Sequence, residues 1–184
     1  DIGRIGCLIC MEGSYPETAR GLAMNGAEII NRPSYPEPYV GNGLWEIQNR
    51  ARALDNTAYM VCPNPASYAP SAESHFPLDM FGGKSMIVDY QGRVIAQHDS
   101  GGAASYAGAI IDIEALRQYR SRSMWGNWLR DLRTEQFRLI YDRPLVEKNR
   151  CLDKPPLKHA ENDELVRAAT QRMLDLDIYR KPGG

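Results

Sequence analysis

The sequence holds no long apolar run. Its longest, such as Met86 to Val88 or Ala107 to Ile111, fall far short of the roughly 20 residues that a membrane-spanning helix needs, so no membrane partner is expected. Neither sign of charge predominates: 22 basic residues stand against 23 acidic ones, for a net charge of −1. That balance removes the global electrostatic ground for binding nucleic acid. Cysteine is scarce. Cys7, Cys10, Cys62 and Cys151 are too few in 184 residues to form a disulfide scaffold, and no stretch has the form of a signal peptide, so the reducing cytoplasm is the expected compartment. Repeats and low-complexity tracts are also missing.

What is present reads as alternating strands and helices. Ile2 to Ile9 is apolar and β-branched, as in a strand buried on both faces. Ser14-Tyr15-Pro16-Glu17 reads as a helix start, with Ser14 as N-cap and proline in the first turn. Ala19, Leu22 and Ala23 give that helix an apolar stripe, and Gly26 stops it. Ala27 to Asn31 is a second strand, so the opening forms a βαβ unit with parallel strands, which implies an α/β fold. Arg32 to Gly43 is a proline- and glycine-rich loop, Trp45 to Leu54 a helix and Thr57 to Cys62 a strand. Pro63 to Phe81 is a long loop, of the kind that is often functional. Ser85 to Gln97 reads as two strands around a Gln91-Gly92 turn. Tyr106 to Ile113 reads as a further strand, leading into a helix from Glu114. Beyond Arg120 the character changes to a charged stretch carrying Trp125, Trp128, Phe137 and Ile140, then an amphipathic helix over Glu161 to Tyr179. The expected division is 1–120 and 121–184, the second part being an arm and helix suited to an oligomer contact.

The pair Cys7-Leu8-Ile9-Cys10 admits several readings. A redox pair needs both sulfurs at a helix N-terminus, yet residues three apart on a strand point to opposite faces. A zinc site needs more ligands at matched spacing, and His75, His98, His159, Cys62 and Cys151 supply no second paired motif. No metal and no cofactor is therefore expected. Buried core thiols suit Cys7 well. Cys10 differs because it closes an apolar strand just ahead of a helix, where open α/β sheets place their chemistry and where a helix N-terminus favours thiolate. On the residues alone Cys10 is either a core thiol or an activated nucleophile.

The segment GRIGCLICMEGSYPETARGLAMNGAEII, residues 3 to 30, resembles the nucleophile region of the nitrilase (carbon-nitrogen hydrolase) superfamily. Cys10 matches the nucleophile of that pattern, and Glu12, Pro16, Glu17, Arg20, Gly26 and Ala27 match its surroundings. WEIQNRARALDNTAYMVCPN (45–64) and GGKSMIVDYQGRVIAQ (82–97) are similar to later segments of the family, and the resemblance covers about residues 2 to 115, leaning to the amidase branch. It implies a four-layer αββα sandwich and a Glu-Lys-Cys triad that hydrolyses a small-molecule amide, nitrile or N-carbamoyl compound through a cysteine thioester.

In the family the glutamate and lysine lie well upstream of the cysteine. Neither Glu12 nor Lys84 occupies a matching position, so neither is assigned those roles. The expectation is that only the C-terminal portion of the sandwich is present, with glutamate and lysine supplied by an N-terminal part. Such a portion exposes an apolar sheet face that needs a cover. The expected substrate contacts are Glu12, Asn64 and Tyr35. Tyr39 and His75 are further loop residues able to shape a pocket, whereas Glu17 reads first as a helix cap and Arg20 as a structural residue. The competing reading is a non-catalytic half-sandwich used for assembly or partner binding.

Overall fold

The computed structural model describes residues 1–34, 42–71, 73–74, 79–80, 82–98, 106–142, 144–146, 152 and 155–183, with the side chains of 79 and 80 excepted. The chain divides into two compact units, Asp1–Leu132 and Arg133–Gly184.

The first unit is built on a five-stranded mixed sheet ordered β1-β2-β3-β6-β7. β1 (Ile5–Cys7), β2 (Ile29–Asn31) and β3 (Tyr59–Cys62) run parallel, and β6 (Met86–Val88) and β7 (Val94–Gln97) continue the sheet antiparallel. β4 (Ser67–Tyr68) and β5 (Asp79–Met80) form a separate two-stranded ribbon inside the stretch read as one long loop. The crossover between β1 and β2 carries α1 (Pro16–Met24), and the one between β2 and β3 carries α2 (Leu44–Asn56). The βαβ reading holds, as do the Gly26 stop at φ +94° and the Gln91-Gly92 turn. The N-cap differs: Tyr15 occupies it, because Ser14 ends a 3-10 turn over Cys10–Ser14.

The two faces of the sheet are covered unequally. On one face Leu8, Ile30, Met60, Cys62, Met86 and Val88 pack with Ala19 of α1 and with Trp45 and Ala53 of α2. On the other, Ile29 and Tyr59 meet Leu116 of α3 (Ile113–Arg122). Val61, Tyr90, Ile111 and Ile113 pack beside them, but at β1 this second face is open among the described residues. Ile5 is 54% exposed, Ile9 is 64% exposed, and Cys7 is exposed as well. In this chain, then, β1 is buried on one face only and Cys7 is exposed, where the sequence suggested a strand buried on both faces and a core thiol. The period of two in a strand sends Leu8 under the helices and Cys7 and Ile9 the opposite way. Residues 106–112, read as a strand from sequence, join no strand ladder among the described residues.

α3 is pinned to the amino ends of the strands. Arg117 makes a two-pronged pair with the buried Glu28, Nε to Oε1 at 2.7 Å and Nη2 to Oε2 at 3.1 Å. Arg120 donates to the carbonyls of Thr57 (2.8 Å) and Ala27 (2.7 Å). The hydrogen bond from Arg117 holds the Glu28 carboxyl below the usual glutamate range, against an opposing contribution from burial.

In the second unit, α4 (Thr134–Ile140) and α5 (His159–Asp175) carry no fully buried residue. Leu139, Ile140, Tyr141, Leu145, Met173 and Ile178 line a shared apolar pocket there. Leu165, Ala169 and Met173 of α5 are half-buried, as is Leu176 just beyond it, while Val166 is exposed. Among the described residues no helix is long and apolar enough to cross a membrane.

Candidate active site

The parallel ladder does not stop where the strands formally end. Leu8 N–H donates to the carbonyl of Asn31 (3.0 Å) and Cys10 N–H to that of Pro33 (2.8 Å). One strand further on, Arg32 N–H donates to Val61 (2.8 Å) and Ser34 N–H to Pro63 (3.1 Å). Carried on past Cys7, Asn31 and Val61, this register sets Cys10, Ser34 and Asn64 side by side at the carboxyl ends of β1, β2 and β3. Neighbouring strands lie about 4.8 Å apart, so Cys10 and Ser34 are within side-chain reach and Asn64 stands one strand further on.

Cys10 is not the last residue of a straight strand, as the sequence suggested. It is the first residue of the 3-10 turn, with φ +48°. A left-handed backbone at a residue with a Cβ costs about 1–3 kcal/mol and persists only where the surroundings over-determine it. Those surroundings are dense. Arg32 is fully buried and donates from Nε (3.1 Å) and Nη2 (3.0 Å) to the Cys10 carbonyl. The same guanidinium donates to Asn49 Oδ1 (2.8 Å) and Gln48 Oε1 (2.9 Å), and it lies 4.8 Å from the Trp45 ring centroid. Arg52 holds the other end of the turn, donating to the carbonyls of Gly13 (3.1 Å) and Ser14 (3.0 Å). Burial lowers the Arg52 pKa from its usual value, partly countered by Asp55 and Glu17. Gly13 is required by packing, since a Cβ there would stand 2.0 Å from Arg32 Nε.

Ser34 Oγ lies 3.5 Å from Cys10 Sγ, within hydrogen-bonding range for sulfur, with the hydroxyl as donor. A donor at that position favours a charged sulfur over a neutral one. Cys62 shows the opposite environment, because complete burial pushes its thiol far above the ordinary range.

The other expected site residues fall as follows. Glu12 is exposed, and its carboxylate accepts the Ile9 N–H at 2.6 Å, bracing the turn. Asn64 is buried. Its Nδ2 donates to the Gly83 carbonyl at 2.8 Å and its backbone is clasped on both sides by Ser85 Oγ, while Oδ1 is buried without a hydrogen-bond partner among the described residues. Tyr35, Tyr39 and His75 lie outside the described residues. Glu17 stands in the first turn of α1. Arg20 donates to the Asp55 carbonyl at 2.6 Å, as a structural residue does. Lys84 contributes a backbone carbonyl to Trp45 Nε1 at 2.8 Å. Among the described residues no cluster of three or more His, Cys, Asp or Glu could hold a metal ion.

Arg32, Ser34, Gln48, Asn49 and Arg52 were not singled out from sequence. One signal was available: Asn49, Arg52 and Asn56 share the buried face of α2 with Trp45. Polar residues on a core-facing stripe indicate a buried network.

The carbon-nitrogen hydrolase family model matches residues 1–121. The deaminated glutathione amidase of Homo sapiens is 35% identical over 118 residues, covering 64% of this chain and 34% of that protein. Its counterpart in Synechocystis sp. (strain PCC 6803 / GT-S) is 30% identical over 120 residues, covering 65% and 41%. The chain thus spans well under half the length of these relatives. Among solved structures, a carbon-nitrogen hydrolase from Helicobacter pylori G27 superposes with a TM-score of 0.61 at 26% identity, covering 78% of this chain and 51% of that one. A family model that accounts for most of the first unit, and a sheet that superposes on a family structure, together establish that this chain belongs to the carbon-nitrogen hydrolase family of the nitrilase superfamily, in its amidase-like branch.

Proposed function

We propose that this chain carries the nucleophile of an enzyme that hydrolyses a non-peptide carbon–nitrogen bond, with a small-molecule amide as the first candidate substrate and nitriles or N-carbamoyl compounds as the wider class. The observation that carries the proposal is Cys10, held left-handed at the carboxyl ends of three parallel strands with Ser34 Oγ against its sulfur. Cys10 thiolate attacks the amide carbon, forming a C–S bond and a tetrahedral oxyanion. The C–N bond then breaks, the amine leaves with a proton from a general acid, and an acyl thioester remains. Water adds to the thioester carbon, giving the carboxylic acid and restoring the thiol.

The general acid–base and the oxyanion-stabilising cation are the glutamate and lysine of the family triad, supplied by an N-terminal part. The short span of this chain against its relatives supports that assignment. So does the open face bearing Ile5, Cys7 and Ile9, which a second sheet would cover to complete a four-layer αββα sandwich. Glu12, Asn64 and Tyr35 are the proposed substrate contacts. The proposal further takes 1–120 as hydrolase, 121–184 as homo-oligomer contact and the cytoplasm as compartment.

The test is hydrolysis of a panel of simple amides by the full-length protein and by Cys10→Ala, with intact-mass analysis of a slow substrate. The expected result is an acyl adduct on Cys10 and a loss of at least about 10³-fold in kcat for the variant, the scale on which removing a nucleophile acts. Full activity in a folded Cys10→Ala protein would rule out Cys10 as the nucleophile, and no hydrolysis by the parent protein would leave assembly as the better reading.

A further inference from the structure

We infer that Arg32 is a positioning residue for Cys10: its buried guanidinium grips the nucleophile's own carbonyl and so fixes the direction of the thiol. The inference rests on the assignment of Cys10 as nucleophile and adds to it a device that the triad does not include.

The guanidinium is immobilised before it acts. Its Nη1 is tied to Asn49 Oδ1 and its Nη2 to Gln48 Oε1, both on α2, and its plane lies by the Trp45 ring. Two of its nitrogens, Nε and Nη2, then converge on one oxygen, the Cys10 carbonyl. A planar fork can present two N–H groups to one acceptor at fixed geometry, which an ammonium on a flexible stem does not reproduce. The carbonyl it holds belongs to a residue at φ +48°. If the fork is lost, two charged hydrogen bonds on that carbonyl go with it, and relaxation of Cys10 towards extended backbone carries Sγ away from Ser34 Oγ. Gly13 fits the same design, because its missing Cβ is the space that Nε, Cδ and Cζ of Arg32 occupy. The cation beside the turn also favours a negatively charged sulfur.

The test is the alkylation of Cys10 by iodoacetamide in the full-length protein, quantified on the Cys10 peptide from pH 6 to pH 9, with N-acetylcysteine in the same tube as an ordinary thiol. Wild-type Cys10 is expected to react about tenfold faster than N-acetylcysteine at neutral pH. Arg32→Lys keeps the charge and loses the fork. It is expected to slow Cys10 about tenfold and to move the midpoint of its pH profile up by about one unit, the two being one effect. Gln48→Met, at a half-buried position, releases one anchor of the guanidinium and is expected to slow Cys10 by about two- to threefold. If Arg32→Lys does not fold, Gln48→Met decides: a slowed Cys10 supports positioning and an unchanged one overturns it. Fast alkylation with an unchanged midpoint in a folded Arg32→Lys protein overturns the role of Arg32 and leaves the nucleophile intact. Wild-type Cys10 no faster than N-acetylcysteine overturns the nucleophile assignment itself, and the inference with it.

Discussion

At the amino ends of β2 and β3, Arg117 and Arg120 reach from α3 to a buried carboxylate and to two backbone carbonyls. At the carboxyl ends of the same parallel strands, Arg32 and Arg52 reach the carbonyls of one short turn. The first pair of arginines joins a helix to a sheet in unstrained geometry, and its charge partner is Glu28. The second pair holds a backbone that the chain would not adopt unaided, with a cysteine at its first residue. The contrast separates fastening from pre-organisation. Cations at the amino ends add to stability, whereas those at the carboxyl ends offset a local cost and fix the direction of a reactive group.

Gly13→Ala should separate the two ends most sharply. The added Cβ meets a guanidinium fastened on four sides, so either the turn or Arg32 must move. The expected cost is about 3 kcal/mol, from overpacking and from weakened charged hydrogen bonds, measured as a fall in the urea midpoint at constant slope. Cys10 alkylation should slow in parallel, while the Glu28–Arg117 pair stays intact. A Gly13→Ala protein as stable and as reactive as the parent would show that the turn tolerates a shifted Arg32.

Fastening is tested by Glu28→Gln, for which about 1–2 kcal/mol is expected, discounted because Arg117 is partly exposed. The sign of the pH dependence follows from the lowered pKa of Glu28. The pair contributes fully above the pKa of an unfolded glutamate, about 4.3, and its contribution is lost as the pH falls through the lower folded value. Urea midpoints measured downward from pH 6 should therefore fall more steeply in the parent than in Glu28→Gln. Cys10 alkylation should be unchanged in this variant, and a slowed Cys10 would join the two ends that the structure keeps apart.

The sequence disclosed the βαβ order, the hairpin turn and Cys10 because each has a local signature: a run of β-branched residues, a Gly turn, a strand–helix boundary. Exposure of Cys7 was not legible in the same way. An apolar run looks buried on both faces whether or not anything covers the second face, and only the pairing register shows which side chains face the helices. Ser34 and Arg32 were hidden for a related reason. They belong to a proline-rich loop by composition and become site residues only through the strand register, which brings 34 beside 10. Residues 106–112 read as a strand because their apolar composition is that of a strand, whereas a ladder also needs a paired neighbour.

The smallest expected effect is the most specific. Ser34→Ala removes a single hydroxyl at 3.5 Å from Cys10 Sγ and leaves the backbone bond from Ser34 N–H to Pro63 in place. A neutral hydrogen bond of this kind is worth about 0.5–1.5 kcal/mol, so Cys10 alkylation at neutral pH should slow by about two- to tenfold on the same basis. Stability should hardly change, because the hydroxyl's partner is a sulfur that tolerates a missing donor better than a buried carbonyl does. Arg32→Lys and Ser34→Ala act on the same sulfur, one through the backbone and one directly. If both work by presenting and stabilising the thiolate, the double variant should lose less than the two single losses combined, since a thiol no longer aimed at Ser34 cannot feel its removal. Fully additive losses would instead make Arg32 and Ser34 independent, and the fork would then act on Cys10 by a route other than aiming its sulfur at Ser34.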